Sequence, residues 1–278
     1  THWGREFVNT FTSSLDQFLD RRFTHRKGFA MRKRLGVIGI MLVVAGFIFA
    51  IAAGVAYVKV QDGYDSLQSF SAAQNVELSY DENGELIDRG TTEGAEAIMS
   101  LLVDDWNYPV VESDLDPNDP LVNTGSEYMF QMATIAYHVL HGTQTVVLDE
   151  AVEYDGETFE AGEYEVVVNE VGSPERVAAG LGGYWTDFDR MHPLEGPARG
   201  QAWSGTAHGL VGELGVGTVT HSTLQMGLAL SGLFAGLGLV FLLTGGGLIW
   251  AGRGRDVTIP DTVPEAFTTE QVKDEQMT

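Results

Sequence analysis

His138 and His141 stand three residues apart in a stretch whose pattern predicts a helix, so both rings can face one point. Glu127 lies three turns earlier, and His192, His208 and His221 follow later in the chain. Two histidines with a carboxylate can hold non-haem iron, and three histidines can hold zinc. The spacing is not that of a His-Glu-x-x-His helix. The competing reading has both histidines satisfied by hydrogen bonds at a helix end, beside Gly142. A second candidate is Asp114, Asp116, Asn118 and Asp119, a D-x-D-x-N-D run of hard oxygens suited to calcium. It departs from the EF-hand loop: Pro117 intrudes, the sixth position is not glycine, and the twelfth is Gly125 rather than Glu. A capped, solvated turn is the alternative there. Neither candidate makes a metal or any other cofactor a requirement.

The stretch from Tyr184 to Arg199, YWTDFDRMHPLEGPAR, concentrates aromatic rings with charges of both signs. Loops built this way often bind something, so Trp185, Arg190 and Arg199 are candidate partner-binding residues. The structural alternative pairs Arg190 and Arg199 with local carboxylates. They would then hold the loop against the domain or a lipid interface, with Trp185 and Trp203 as core or interfacial rings. Motifs of common enzyme classes are missing. Ser204 lies in Ala-Trp-Ser-Gly-Thr, without the first glycine of a nucleophile elbow. No phosphate-cradling glycine loop follows a strand. The chain has no cysteine, which excludes disulfides and thiol chemistry.

Two long uncharged stretches position these candidates. Leu35 to Val58 and Leu224 to Trp250 are each long enough, at 1.5 Å per residue, to cross a hydrocarbon core of about 30 Å. Residues 1–36 hold eight Lys/Arg against three acids, and Arg253 and Arg255 follow the second stretch. Between the stretches, residues 59–220 carry 30 acidic and five basic residues. The positive-inside rule then predicts a cell-membrane protein with both termini cytoplasmic and residues 59–220 outside. So acidic a domain is excluded as a nucleic-acid binder. Neither stretch contains a charge, so no proton or ion relay is visible within them.

This organisation predicts five segments. Residues 1–34 form a cytoplasmic amphipathic helix and basic flank, with Trp3, Phe7, Phe11, Leu15, Phe18 and Leu19 near one face. That face can lie on lipid or dock on a partner subunit. Residues 35–58 and 221–252 are the transmembrane helices, 59–220 an α+β extracytoplasmic domain, and 253–278 a disordered tail. Small residues recur at four-residue spacing, Gly46, Ala50 and Gly54 in one span and Gly232 and Gly236 in the other. They allow close backbone approach, either of the two spans to each other or of one stripe to another membrane protein.

Within the domain, Asn75–Tyr80 and Glu85–Asp88 read as a hairpin about an Asn83-Gly84 turn. Thr91 or Thr92 caps a short helix to Leu102, and Ser126 caps a helix to Leu140. Residues 143–169 read as a three-stranded meander divided at Asp155-Gly156 and Ala161-Gly162. Ser173-Pro174 opens a short helix, and a last helix begins near Ala198 and runs toward the second span.

The order of basic flank, span, outer domain and glycine-rich second span resembles a group of actinobacterial two-span membrane proteins often labelled aromatic ring-opening dioxygenases. The segment RKRLGVIGIMLVVAGFIFAIAAG carries the resemblance together with the spans. That label implies iron ligands, of which only His138 and His141 could begin a set, and the activity is not carried over. The expected function is a non-catalytic accessory subunit of a larger bacterial envelope or respiratory complex. Its expected partners are the bilayer and other integral membrane subunits. A metal-dependent extracytoplasmic enzyme using His138 and His141 is the alternative.

Overall fold

A computed structural model describes the backbone of residues 3–253 and the side chains of residues 32–253. The expectations for the amphipathic face of residues 3–23 and for the tail beyond Arg253 lie outside the described residues. The chain divides into two compact units, residues 1–52 with 234–278, and residues 53–233. Two helices, α1 (Trp3–Gln74) and α6 (Gly205–Gly252), contribute to both. Each holds a segment long and apolar enough to cross a membrane, with 11% of that segment buried.

In the first unit, α1 and α6 approach through glycines. A Cβ placed on Gly46 would lie 2.8 Å from Leu242 Cγ and 2.9 Å from the Gly238 carbonyl. A Cβ on Gly39 would meet the Gly245 carbonyl at 2.7 Å, and one on Gly245 the Gly39 carbonyl at 2.6 Å. Backbones this close leave no room for any side chain, which is why both helices place glycine there. Phe49 fills the next layer against Phe234 and Phe241, with ring centroids 5.8 and 5.6 Å away.

The second unit is α+β, and α3 (Gly125–Leu140) is its centre. One apolar cluster gathers Leu67 of α1, Ile98 and Leu102, Val122, the Tyr128, Phe130 and Ala133 side of α3, and Leu214 of α6. A second gathers Ala136 and Leu140 of α3 with Val146, Val168, Phe188, Ala202 and Trp203. The α3 cap differs from the expected one. Thr124, not Ser126, closes the helix, in a capping box with Glu127. Ser126 sits inside the first turn, where its hydroxyl accepts from Val111 N and donates to Asp114.

Helix α2 (Thr92–Ser100) is capped by Thr91, then widens into a π-helical turn over Leu101–Asp105 that turns Trp106 and Tyr108 inward. The first hairpin is present as a single bridge, Tyr80 with Leu86. Its turn is not a two-residue Asn83-Gly84 loop: Gly84 N donates to the Asp81 carbonyl and Asp81 N to the Glu85 carbonyl, with Gly84 left-handed between them. The Asp81 carboxylate accepts from Glu85 N and Asn83 N, and these bonds, the Glu85 one foremost, lower its pKa.

The expected meander is instead a nested hairpin. β1 (Thr143–Leu148) pairs antiparallel with β4 (Gly162–Val167), and the small hairpin β2 (Val152–Tyr154)–β3 (Glu157–Phe159) closes the loop between them. Asp155 and Gly156 take φ values of 48° and 84°, the paired left-handed geometry of a two-residue hairpin turn. α4 (Pro174–Ala178) starts at the Ser173 cap as expected. α5 (Glu195–Ala202) is separate from α6, which begins only after the break at Trp203-Ser204.

Candidate functional site

The two candidate metal histidines serve different neighbours. His138 Nε2 lies 3.0 Å from the Asp88 carboxylate and ties α3 to the Arg89-Gly90 turn. His141, the C-terminal cap residue of α3, folds back, donating from Nδ1 to the Tyr137 carbonyl at 2.9 Å with its ring over Tyr137. His192 Nδ1 accepts from the backbone N–H groups of Leu194 and Glu195. His208 donates to the Trp203 carbonyl, and His221 accepts from Gly125 N at 3.1 Å. Local hydrogen bonds thus orient all five rings. Among the described residues, no group of three His, Asp or Glu side chains is placed to hold a metal ion.

The candidate calcium run is also occupied by local bonds. The Asp116 carboxylate accepts from both the backbone and the side-chain amide of Asn118, each at 2.8 Å, and this lowers its pKa. Asp114 instead turns to the Ser126 hydroxyl at 2.9 Å. The two carboxylates and Asn118 therefore build a turn and its tie to the start of α3.

That start is a buried polar centre of the unit. Glu127, almost fully buried, accepts through one carboxylate oxygen from Asn123 N and Thr124 N at 2.9 and 2.8 Å. Burial nevertheless outweighs these bonds and raises its pKa. Tyr80 stands nearby with a buried hydroxyl that has no partner among the described residues. Burial, with Glu127 and Asp116 adding to it, pushes that hydroxyl up to about 12.

The aromatic stretch before α6 closes on itself. Arg199 lies over the Trp185 ring at 3.1 Å from its centroid and donates from Nε to the Trp185 carbonyl at 3.0 Å. Trp203 donates to the Gly183 carbonyl at 2.9 Å, and Trp106 to the Tyr184 hydroxyl at 3.0 Å. Arg176 pairs with Asp187 at 2.6 Å, and Asp187 also accepts from Tyr184 N. Tyr154 donates to Asp189, fixing the β2–β3 hairpin to this loop beside His192. Arg190 is exposed and forms no ion pair among the described residues. Its charge, after burial, lowers the pKa of Arg199.

The arginines therefore did not find the carboxylate partners expected for both: an indole ring holds one, and the other is free at the surface. The rings of Tyr184, Trp185 and Trp203 pack with the second apolar cluster of the domain.

The small-residue stripe divides. Gly46 is filled by the opposite helix, whereas a Cβ on Gly54, Gly232 or Gly236 would meet nothing within 4 Å. One hydrogen bond ties the helices nearby, from the buried Ser231 hydroxyl to the Ala53 carbonyl at 2.9 Å.

The structure adds a feature that residue types alone did not reveal. A cavity of about 150 Å³ is lined by Phe70, Ser71, Val122, Tyr128, Leu210 and Leu214, among others. It opens where the end of α1 and the first turns of α3 meet the start of α6, elements whose contact depends on the tertiary fold. No family model, curated protein or solved structure matches this chain.

Proposed function

We propose that this protein is a non-catalytic accessory subunit of a larger bacterial membrane complex. Two helices anchor it, both termini lie on the cytoplasmic side, and residues 59–220 form an extracytoplasmic domain. The observation that carries this reading is the division of the small residues. Gly39, Gly46, Gly238 and Gly245 are consumed where α1 meets α6, while Gly54, Gly232 and Gly236 remain open on apolar helices. In lipid, an open small-residue surface favours a further helix, because close packing replaces the hydrophobic drive that lipid removes. The charge asymmetry of the sequence supports the orientation. The candidate chemical groups support a structural role, since His138, His141, Asp114 and Asp116 each hold an element in place.

Purification in mild detergent, with mass-spectrometric identification of what accompanies the protein, tests this. A stoichiometric integral membrane protein should co-purify, and Gly232→Leu with Gly236→Leu should release it. Recovery of the protein alone, as a monomer or homodimer, would overturn the reading. Orientation is open to direct test because the chain lacks cysteine. A single cysteine at Glu160 should react with an impermeant maleimide on intact cells, and one at Arg253 only after lysis.

A further inference from the structure

The cavity beside α3 is built from five pieces of the second unit. Phe70 and Ser71 come from α1, Val76 and Val122 from two segments joined by the Val122 N to Val76 carbonyl bond, Tyr128 and Ile135 from α3, and Leu210 and Leu214 from α6. Phe70, Val76 and Leu210 are exposed at the rim, while Val122, Tyr128 and Leu214 are buried. The walls are apolar, and a volume near 150 Å³ suits a single six-membered ring.

The polar part of the wall is specific. The Ser71 and Tyr128 hydroxyls, on residues 2% and 4% exposed, share one hydrogen bond of 2.6 Å and make no other among the described residues. Two hydroxyl protons serve one bond, so whichever oxygen donates, one O–H remains free to donate. Gly217 makes this arrangement possible: a Cβ there would lie 2.6 Å from the Tyr128 ring, so only glycine lets the ring lie against α6. Burial raises the Tyr128 pKa, which keeps its hydroxyl protonated. Among the described residues no basic side chain lines the cavity; Gln74 and Gln131 add amides to its wall, and exposed Glu213 supplies a carboxylate.

From this geometry we propose that the cavity binds a small neutral molecule: one apolar ring carrying a hydrogen-bond acceptor, such as a ketone or ester carbonyl, seated on the Ser71–Tyr128 hydroxyl pair. An anionic ring acid is disfavoured, since it would bring a second negative charge near Glu213 with no cation to meet it. A peptide side chain fits less well, because the apolar side chains that match this volume carry no acceptor for the free hydroxyl.

The test is fluorine NMR on the full chain in phospholipid nanodiscs, with empty nanodiscs as the partition control. The probes are para-fluoroacetophenone, para-fluorotoluene and para-fluorobenzoate. The ketone should bind saturably, and the benzoate at least about tenfold more weakly. Removing one hydroxyl leaves the other free to donate, so the informative variant is Ser71→Ala with Tyr128→Phe. It should weaken the ketone about fivefold, the worth of one hydrogen bond, and leave the toluene unchanged. Leu210→Trp, at an exposed rim position, should block both without disturbing the fold. The proposal is overturned by a ketone signal no stronger than in empty nanodiscs, by binding that survives Leu210→Trp, or by equal loss of ketone and toluene in the double variant. Co-purification with a partner is a separate readout, so failure here leaves the accessory-subunit reading to its own test.

Discussion

The two units of this chain are held together by opposite means. Where α1 meets α6 in the first unit, contact is made by what is missing: Gly39, Gly46, Gly238 and Gly245 let backbone touch backbone, and Phe49 fills the remaining gap. In the second unit, contact is made by what is satisfied. Around the start of α3, Thr124, Ser126, Glu127, Asp114 and His221 each answer a specific N–H or O–H, and two apolar clusters flank that centre. The first unit should therefore fail when atoms are added, and the second when polar atoms are removed.

The largest effect should come from Gly46→Leu. Its side chain would occupy space held by Leu242 and the Gly238 carbonyl, so the helices must separate. Overpacking of this kind costs about 3 kcal/mol. Denaturation of the helix pair in bicelles measures it. Gly236→Leu, where nothing lies within 4 Å, is the control and should leave that stability unchanged. Equal losses in the two would erase the distinction between filled and open glycines.

The corresponding break in the second unit is Glu127→Ala. It strips the acceptor from Asn123 N and Thr124 N in a buried place, at a cost of about 2 kcal/mol. Thermal unfolding followed by near-ultraviolet circular dichroism reports it, because the α3 start lies among aromatic residues. A loss no larger than that of an exposed carboxylate would show that water meets those two N–H groups.

The same contrast explains what the residues disclosed beforehand. Apolar length and glycine spacing are local, so both long helices and the Gly46 contact were legible as types, although not which glycines would be used. Caps and two-residue turns are nearly local, and Thr91, Ser173 and the Asp155-Gly156 turn emerged as expected. The α3 cap misled because Ser126 and Thr124 are both good caps; Glu127, three residues after Thr124, decides between them. The meander misled because strand pattern fixes which residues extend, not which strands pair, and β1 bypasses its neighbour for β4. The histidine pair at i and i+3 does lie on one helix, yet His141 is its cap residue and turns back. The cavity was illegible, since Ser71 and Tyr128 are 57 positions apart and meet only in the tertiary fold.

A smaller test addresses the nested hairpin. Gly156→Ala must hold a Cβ at φ 84°, costing about 1 kcal/mol. Because β2–β3 is fixed to the aromatic loop through Tyr154 and Asp189, hydrogen exchange should quicken across Val152–Phe159 and around Asp189 together. Acceleration confined to the hairpin would mean that the Tyr154 contact transmits nothing.

The smallest effect separates burial from hydrogen bonding at Glu127. Burial raises its pKa in the folded state while two N–H bonds oppose the rise. A carboxyl that holds its proton more tightly when folded contributes stability that is full below the ordinary glutamate value of 4.5 and is lost as pH rises through the raised folded value. Glu127→Gln keeps an oxygen for Asn123 N and Thr124 N but cannot ionise. The stability of the variant relative to the parent should therefore climb as pH rises above 4.5 and then level off, in paired thermal melts at constant ionic strength. A flat difference would mean that the two N–H bonds match burial, and one falling with pH that they outweigh it. The second unit would then be held by a charged cap, and its polar centre would be most stable where Glu127 is ionised.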